Sequence, residues 1–396
     1  MTTTGGIKLA DRLRDLRPSA TLEVKQTADR LRAQGIDIID FGPGEPDFDT
    51  PGNVKAAAHR AIDENLSHYL PVKGLPALRR AVADFYARSY GCEYTADEII
   101  TGCGAKSVLY LAAMALLSPG DEVIIHSPYW VSFPEQVRLA GGVPVILETD
   151  DREGFVPDAG RAAALAGPKT RAIILCSPGN PTGAMIPQET VDGFAALSRE
   201  RNLVLIYDET YQQFLFDGAR HSTPAASPAD VRDRLLLVSS VSKTYAMTGW
   251  RVGYALGPRP LVDAMAKIQG HDATHTAAVA QAAAAEALSG PQDSVAEMIR
   301  EYARRREVIL DGLRGIDGVT CLVPQGAFYV FPNVTGTYAK LGVSDSASVA
   351  KVLLEKANVA AVPGEAFGAP GYLRLSYALA IDRIREGIER IRRALG

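Results

Sequence analysis

The sequence is poor in cysteine and tryptophan, and it shows no clustering of the cysteines it has. Its 396 residues include four cysteines and two tryptophans. The cysteines lie far apart and form no C-x-x-C pair, at Cys92, Cys103, Cys176 and Cys321. This spacing argues against a zinc site and against a disulfide framework, so we expect no structural metal.

Net charge and long apolar segments are also scarce. The formal net charge is −4, whereas nucleic-acid binders usually show a basic face. The longest apolar run, which includes residues 109–117, is far shorter than the roughly 20 residues of a membrane span. The first twenty residues contain no apolar segment typical of a secretory signal. We therefore expect a cytoplasmic protein whose partners include neither nucleic acid nor membrane.

What the sequence does contain is an alternation of short apolar runs and helical stretches from about residue 50 to 290. One helix is predicted over residues 107–117. The predicted strands cover residues 98–101, 122–126, 143–147, 171–176, 203–207, 235–239 and 251–256. Continuous apolar runs between helices are typical of a mostly parallel sheet covered on both faces. The fold class is therefore α/β.

The C-terminal part has a different pattern, with helices predicted over 294–316, 346–357 and 381–395. Short strands are predicted near residues 319–322, 327–331, 359–362 and 372–376. We predict a smaller α+β domain here. The predicted division is an N-terminal arm and part of the small domain over 1–48, a large cofactor-binding domain over 49–295, and a small domain over 296–396.

Lys243 follows a predicted strand and lies in the Ser/Thr/Gly-rich stretch 240–254. A lysine at a strand end forms a Schiff base where its surroundings favour the neutral amine, although most lysines are simply exposed. Ser240 and Lys243 also match the S-x-x-K pattern of penicillin-recognising serine hydrolases. The other two motifs of that class fail at residues 344–346 and 243–245, so we reject this alternative.

Asp208 ends another predicted strand, and Lys243 follows 35 residues later. That distance is one strand–helix–strand unit, so the two strand ends are expected to be neighbours at the edge where open α/β sheets bind ligands. A helix N-cap is the alternative role for Asp208. A Schiff-base lysine with an acidic partner for a pyridine nitrogen is what pyridoxal phosphate chemistry requires.

Residues 104–107 (GAKS) open a predicted helix directly after a strand. Small residues at a helix N-terminus let backbone N–H groups approach a phosphate, and plain helix–sheet packing is the alternative explanation. A P-loop is excluded, because Ala105 separates Gly104 from Lys106 and Ile99 stands where the first glycine is needed.

Taken together, these motifs resemble the class I/II aminotransferases, which are fold-type I pyridoxal phosphate enzymes, and within them the bacterial and plant aspartate/prephenate subgroup. The resemblance implies a large domain with a mostly parallel seven-stranded sheet, a smaller α+β domain and a homodimer with shared active sites. The matching stretches follow in order along nearly the whole chain: RPSAT (17–21), GPGEPDFDTP (42–51), HYLPVKGLPALR (68–79), GAKSVLY (104–110), SPYWVSFPEQV (127–137), SPGNPTGA (177–184), YDETY (207–211), SVSKTYAMTGWRVGY (240–254), PQGAFYV (324–330), VPGEAFG (362–368) and YLRLSYA (372–378).

The resemblance also implies roles for individual residues at the cofactor. Lys243 would hold the cofactor aldehyde as an internal aldimine and later move the substrate α-proton. Asp208 would pair with the pyridine nitrogen, and Tyr211 would donate to the ring oxygen. Asn180 would bind the same oxygen and the substrate carboxylate, and Trp130 would stack on the ring. The phosphate would be held by Gly104, Ala105, Lys106, Ser240, Arg251 and, from the neighbouring subunit, Tyr69.

For the substrate, the resemblance implies that Arg374 clamps the α-carboxylate with two parallel donors, a geometry that lysine cannot copy. The backbone of Gly44 would complete this pocket. Lys106 would contact a distal carboxylate, and Arg17 would assist with dicarboxylates that are similar to prephenate. Each of these cations also has an ordinary alternative role as a phosphate neighbour or an exposed charge.

Two places depart from the family pattern. Residues 270–276 read GHDATHT, where the family has a sequence close to SHTTSNP. In relatives this region approaches the active site of the partner subunit. Here it contains His271, Asp272 and His275. Leu111 replaces an asparagine that is common at this position in the family.

We expect a ping-pong transfer of an amino group from an L-amino acid of the aspartate or glutamate type to a 2-oxo acid. The alternatives are an aromatic or broad-range aminotransferase, a lyase or oxidase of the same fold, and a non-catalytic regulator.

Overall fold

The computed structural model describes residues 3–4, 7–227 and 230–396. The α-helices found there are α1 Ala20–Ala33, α2 Gly52–Asp63, α3 Pro76–Tyr90, α4 Gly104–Leu116, α5 Ser132–Leu139, α6 Ala159–Leu165, α7 Gln188–Glu200, α8 Arg259–Gln269, α9 Ala278–Ser289, α10 Asp293–Arg314, α11 Tyr338–Leu341, α12 Ser346–Ala357 and α13 Ile381–Leu395. The β-strands are β1 Thr3–Thr4, β2 Ile7–Lys8, β3 Ile39–Asp40, β4 Ile99–Cys103, β5 Glu122–His126, β6 Val143–Leu147, β7 Thr170–Cys176, β8 Val204–Asp208, β9 Leu235–Ser240, β10 Val252–Leu256, β11 Tyr329–Val330, β12 Val359–Ala360, β13 Val362–Pro363 and β14 Leu373–Ser376.

Seven strands form the central sheet in the order β4-β10-β9-β8-β7-β5-β6. The pairs from β6 to β9 are parallel, and β10 alone runs antiparallel to both of its neighbours. The predicted mostly parallel seven-stranded sheet and the α/β class are confirmed. The outer strand β4 therefore points the same way as the five parallel strands.

The apolar runs form strands because both faces of this sheet are buried. Successive side chains of a strand point to opposite faces, and in β7 Ile173 and Leu175 join one core cluster while Ala172 and Ile174 join another. The carboxyl ends of the parallel strands then meet at one edge. Cys176 pairs with Asp208 in register there.

The C-terminal part builds its own layer around a three-stranded antiparallel sheet in the order β11-β14-β13. Helices α10 and α13 pack together over a separate apolar cluster. Strand β3, near the N-terminus, pairs in parallel with β12, so N-terminal residues join this layer. That pairing supports the predicted division into 1–48, 49–295 and 296–396, which stays a prediction.

Several predicted boundaries differ from the structure. The strand predicted near 319–322 is wrong: only Thr320 forms a bridge, to Asn333. Pro324 lacks the N–H group that would carry this ladder further. Strand β10 begins at 252 because Arg251 has a left-handed backbone (φ 57°).

The structure also gives three findings on cysteines, metals and membranes. All four cysteines are free. Among the described residues, no group of three or more His, Cys, Asp or Glu side chains is arranged to hold a metal ion. No helix in the described part of the chain is both long and apolar enough to cross a membrane.

Candidate active site

A cleft of about 370 Å³ opens at the carboxyl edge of the central sheet. It brings together most of the site residues predicted from the sequence. Those that line it are Gly44, Ala105, Lys106, Trp130, Asn180, Asp208, Tyr211, Ser240, Lys243, Arg251 and Arg374. The parallel strand directions explain this convergence, since β7, β8 and β9 all end at this edge.

Lys243 lies three residues beyond the end of β9, on the wall of the cleft. Its Nζ donates a hydrogen bond to the carbonyl oxygen of Gly44. Burial lowers the pKa of Lys243 to about 8, and the nearby cations Arg251 and Arg374 add to this, while Glu45 opposes it. A minor fraction of this amine is therefore neutral and nucleophilic near neutral pH, far more than for a free lysine.

Asp208 ends β8 and is 5% exposed. Burial raises its pKa to about 6, although hydrogen bonds from Thr210, one of them from the backbone N–H at 3.1 Å, work against the rise. Such a carboxylate has a high affinity for a proton in the cleft. It is therefore suited to share a proton with a basic ligand atom.

Tyr211 is paired with a residue to which the sequence reasoning assigned no role. Its hydroxyl lies 2.7 Å from that of Tyr329, and burial raises the pKa of both phenols. Tyr329 also lines the cleft, and the Arg374 guanidinium lies 4.7 Å from its ring centre. In the sequence, Tyr329 stands in the stretch PQGAFYV. This stretch matches the family pattern but does not indicate a role for Tyr329.

Arg374 on β14 is 2% exposed and forms the end of the cleft. Its Nη1 donates to Asn180 Oδ1 at 3.1 Å, and its Nη2 donates to the carbonyl oxygen of Gly42. The buried Nε has no hydrogen-bond partner among the described residues. A buried guanidinium with an unused donor is suited to bind a carboxylate.

The opposite end of the cleft is formed by the first turn of α4. Gly104 has φ +79°, and a Cβ there would collide with the guanidinium of Arg251. Arg251 donates to the carbonyl oxygens of Thr248, at 2.8 Å, and Cys103, at 3.3 Å. The N-terminus of α4 and this guanidinium form a cradle for an anion such as phosphate.

Lys106, in the first turn of α4, and Trp130 also line the cleft. The Lys106 amine lies 5.0 Å from the centre of the Trp130 ring, within the range of a cation–π contact. Burial lowers the pKa of Lys106, and the charge of Arg251 contributes. The wall therefore presents a flat aromatic surface beside a positive charge.

Three predicted site residues do not line the cleft. Gly104 is not part of the lining, although a Cβ added to it would collide with the Arg251 guanidinium. Tyr69 is 89% exposed, and Arg17 is exposed on the surface, where its backbone N–H donates to Glu135 at 3.1 Å. Their roles stay predictions.

The segment that departs from the family pattern also lies outside the cleft of its own chain. His271 and Asp272 are exposed. His275 accepts a hydrogen bond from the backbone N–H of Leu70 at 3.0 Å, and its other ring nitrogen lies 2.8 Å from the carbonyl oxygen of Thr276. His275 therefore joins this segment to the loop that carries Tyr69.

Comparison with known proteins places this chain in a family. The model for aminotransferase class I and II matches residues 36–391. The chain belongs to this family. The aspartate aminotransferase of Bacillus sp. (strain YM-2) is 42% identical over 385 residues, which cover 97% of this chain and 98% of that protein. The aspartate/prephenate aminotransferase of Thermus thermophilus is 43% identical over 391 residues, which cover 98% and 99%.

The fold of this chain also agrees with the solved structures of aminotransferases. The solved structure of Thermus thermophilus aspartate aminotransferase with maleate is 42% identical, covers 98% of this chain and 100% of that chain, and superposes with a TM-score of 0.92. The chain is therefore an aminotransferase, an enzyme that moves an amino group from an amino acid to a 2-oxo acid. The predicted family, fold and enzyme class are confirmed.

The aminotransferase cleft also contains charged residues that the sequence reasoning missed. Glu45 lines it and accepts a hydrogen bond from Thr248 at 3.0 Å. Lys25 of α1 also lines it. Glu45 stands in the quoted stretch GPGEPDFDTP, whereas Lys25 belongs to none of the family stretches, so no sequence signal pointed to it.

Proposed function

We propose that this aminotransferase uses pyridoxal 5'-phosphate held through Lys243. The observation that carries the proposal is the placement of the Lys243 amine in one cleft with the Asp208 carboxylate, the Arg374 guanidinium and the anion cradle that the first turn of α4 forms with Arg251. These groups fit an aldehyde, a ring nitrogen, a substrate carboxylate and a phosphate respectively. The collision that a Cβ at Gly104 would cause shows how closely this cradle is packed.

Each residue then has a chemical task. The cofactor, when bound, supplies an electron sink for the electrons left by the departing α-proton. Lys243 takes that proton and returns it, because its amine is partly neutral near pH 7. Asp208 holds a proton at the ring nitrogen, and Tyr211 donates to the ring oxygen. Arg374 and Asn180 orient the substrate by its α-carboxylate, and Trp130 covers the ring.

We infer that the preferred amino donor is a dicarboxylic acid of the aspartate or glutamate type. Lys106 supplies a second cation in the cleft lining, and it is positioned to bind a distal carboxylate. The related Thermus thermophilus structure was solved with maleate, itself a dicarboxylate. We expect 2-oxoglutarate or oxaloacetate as the acceptor and a role in amino-acid biosynthesis.

A homodimer with shared active sites completes the proposal. Tyr69 is 89% exposed in the single chain, so its side chain is available to a second copy. We propose that its hydroxyl reaches the phosphate site of a second copy. The cytoplasmic location stays a prediction.

The visible absorption spectrum of the purified protein tests this function. With pyridoxal phosphate added, we expect a band that changes on anaerobic addition of L-aspartate and is restored by 2-oxoglutarate. L-Phenylalanine is the comparison donor, and a larger change with it would favour the aromatic alternative. The variant K243A is the control and should show no change. A wild-type protein without any visible band would disprove the cofactor assignment.

A further inference from the structure

A carboxylate outside the cleft, that of Asp40, is buried at the end of strand β3. The Asp40 side chain is 1% exposed, and Asp40 is not part of the cleft lining. Its Oδ1 accepts a hydrogen bond from the backbone N–H of Gly42 at 2.9 Å. Its Oδ2 has no hydrogen-bond partner among the described residues and lies 3.5 Å from Nη2 of Arg32 on α1. Burial of a carboxylate is costly, so the contact with Gly42 is the feature that calls for an explanation.

The peptide group between Phe41 and Gly42 is held on both sides. Its carbonyl oxygen accepts from the Ser376 N–H of β14 at 2.8 Å, and its N–H is the one that Asp40 binds. Gly42 is buried, so loss of the Asp40 oxygen would leave this N–H unpaired in the interior. The next peptide group has no N–H that could hold it, because Pro43 follows. Its position therefore depends on the peptide group before it.

The close approach of Asp40 also requires a glycine at residue 42. A Cβ there would lie 2.9 Å from Asp40 Oδ1 and 3.1 Å from Val24 Cγ1, which is tighter than ordinary contact. Glycine has the greatest backbone freedom of all residues. The Asp40 carboxylate therefore supplies a restraint that a side chain at residue 42 cannot supply.

The carbonyl oxygen of Gly42 is one of two acceptors that orient the Arg374 guanidinium. It accepts from Nη2, and Asn180 Oδ1 accepts from Nη1 at 3.1 Å. The guanidinium is planar, so acceptors on two of its nitrogens fix the direction of its other donors. Of these, Nε has no partner in the part of the chain that the structure describes. A shift of the Gly42 oxygen would therefore turn the donors that are free to meet a carboxylate.

We propose that Asp40 is a positioning residue for substrate binding. It holds the Gly42 backbone, and the Gly42 carbonyl oxygen holds Arg374 in the orientation that receives the substrate α-carboxylate. Asp40 acts through its acceptor oxygen and not through its charge, because the group it holds is a neutral backbone N–H. The binding of the α-carboxylate by Arg374 rests on the proposed function, whereas the hydrogen bonds that connect Asp40 to Arg374 do not.

Two variants of similar shape separate the acceptor from the charge. D40N keeps an acceptor oxygen for the Gly42 N–H but has no charge, and D40L has neither. The probe is maleate, a dicarboxylate without an amino group, and its binding is measured by calorimetry on the protein with pyridoxal phosphate added. We expect D40L to bind maleate about tenfold more weakly than wild type, the effect of one hydrogen bond to a charged group. D40N should stay within about twofold of wild type.

Steady-state kinetics gives a second measurement, which separates positioning from folding. D40L should raise the KM for L-aspartate with little change in kcat, because it weakens a contact made by substrate and transition state alike. Partial unfolding would instead lower kcat and leave KM unchanged. The matched control is D37A, since Asp37 stands three residues earlier and pairs with Arg383 and Arg390 of α13. D37A should keep the wild-type KM and maleate affinity.

The variant R374A separates this inference from the proposed function. Unchanged maleate affinity in R374A would reject the proposed carboxylate clamp, and the role of Asp40 with it. If R374A weakens maleate binding and D40L does not, the role of Asp40 alone is overturned. Equal weakening in D40N and D40L would also overturn it, because the charge would then be responsible. Should D40L not fold, D40A takes its place in the comparison with D40N.

Discussion

At Lys243 and Asp208, burial opposes the charge that each group carries in water. The pKa of Lys243 falls to about 8 and that of Asp208 rises to about 6, so the two groups titrate much closer together than free lysine and aspartate do. Groups with such values give and take protons near neutral pH. The site thereby gains reactivity and loses some folding stability.

The stability cost of Lys243 predicts a pH-dependent gain for K243M in the cofactor-free protein. Below pH 8 the lysine is mostly charged in both the folded and the unfolded state. The free-energy cost of burying its charge is therefore largest in this pH range. Between pH 8 and 10.5 the folded state has released the proton that the unfolded state still holds, so stability rises with pH. We expect K243M to be more stable than wild type by about 1–3 kcal/mol at pH 7.

Urea unfolding of both proteins at pH 7 and at pH 10 measures this difference. The advantage of K243M should shrink at the higher pH, because the lysine is then largely neutral when folded. K243R, which keeps the charge at every accessible pH, is the control and should show no such gain. An advantage of equal size at both pH values would mean that packing, and not charge, causes it.

At the scale of elements, the best predictions are those whose signals are local. The predicted ends of helix α12 match the observed ones, since Asp345 caps its first turn by accepting from the Ser348 N–H at 2.7 Å, and Asn358 ends it with a left-handed backbone. Strands β5 and β6 are also as predicted, because each is a continuous apolar run.

Features that depend on distant pairs could not be predicted in this way. The Tyr211–Tyr329 contact joins residues 118 positions apart, and no periodicity reports on it. The antiparallel direction of β10 is likewise set by its neighbours in space. Most of the site was nevertheless predictable, because the residues that end β8 and β9 and begin α4 stand in recognisable stretches.

The start of α4 allows a prediction about phosphate binding. G104A should lose about 1–2 kcal/mol of folding stability, because alanine is strained at φ +79°, and it should also displace Arg251. We expect its affinity for pyridoxal phosphate to fall by about tenfold or more, the effect of losing one hydrogen bond to a charged group. Gly120 has φ +87°, and a Cβ added there would meet no atom within 4 Å, so G120A is the matched control.

Both variants are compared by thermal unfolding and by titration with the cofactor. G120A should show the stability loss alone, with wild-type affinity. Equal affinities in G104A and G120A would show that the cradle does not hold the phosphate.

At the scale of the whole molecule, one segment after β3 connects the two layers of the chain to the cleft. The carbonyl oxygen of Gly42 accepts from Arg374, and that of Gly44 accepts from Lys243. Asp47 pairs with Arg305 of α10 at 2.7 Å. The substrate clamp and the reactive amine are therefore held by backbone atoms two residues apart, so a shift of this segment alters both together.

The proposed sharing of sites between subunits predicts complementation between two defective variants. Y69F removes the hydroxyl that we expect to reach the partner's phosphate, and K243A removes the reactive amine. In a mixed dimer the K243A subunit still lends Tyr69 to the Y69F subunit, whose Lys243 is intact. One of the two sites is then complete, and the mixed dimer should show about half the wild-type activity. Co-expression with two different affinity tags isolates this dimer, and steady-state kinetics compares it with both parent dimers. If Tyr69 served its own subunit, neither site would be complete, and the mixed dimer would be no more active than the average of its parents.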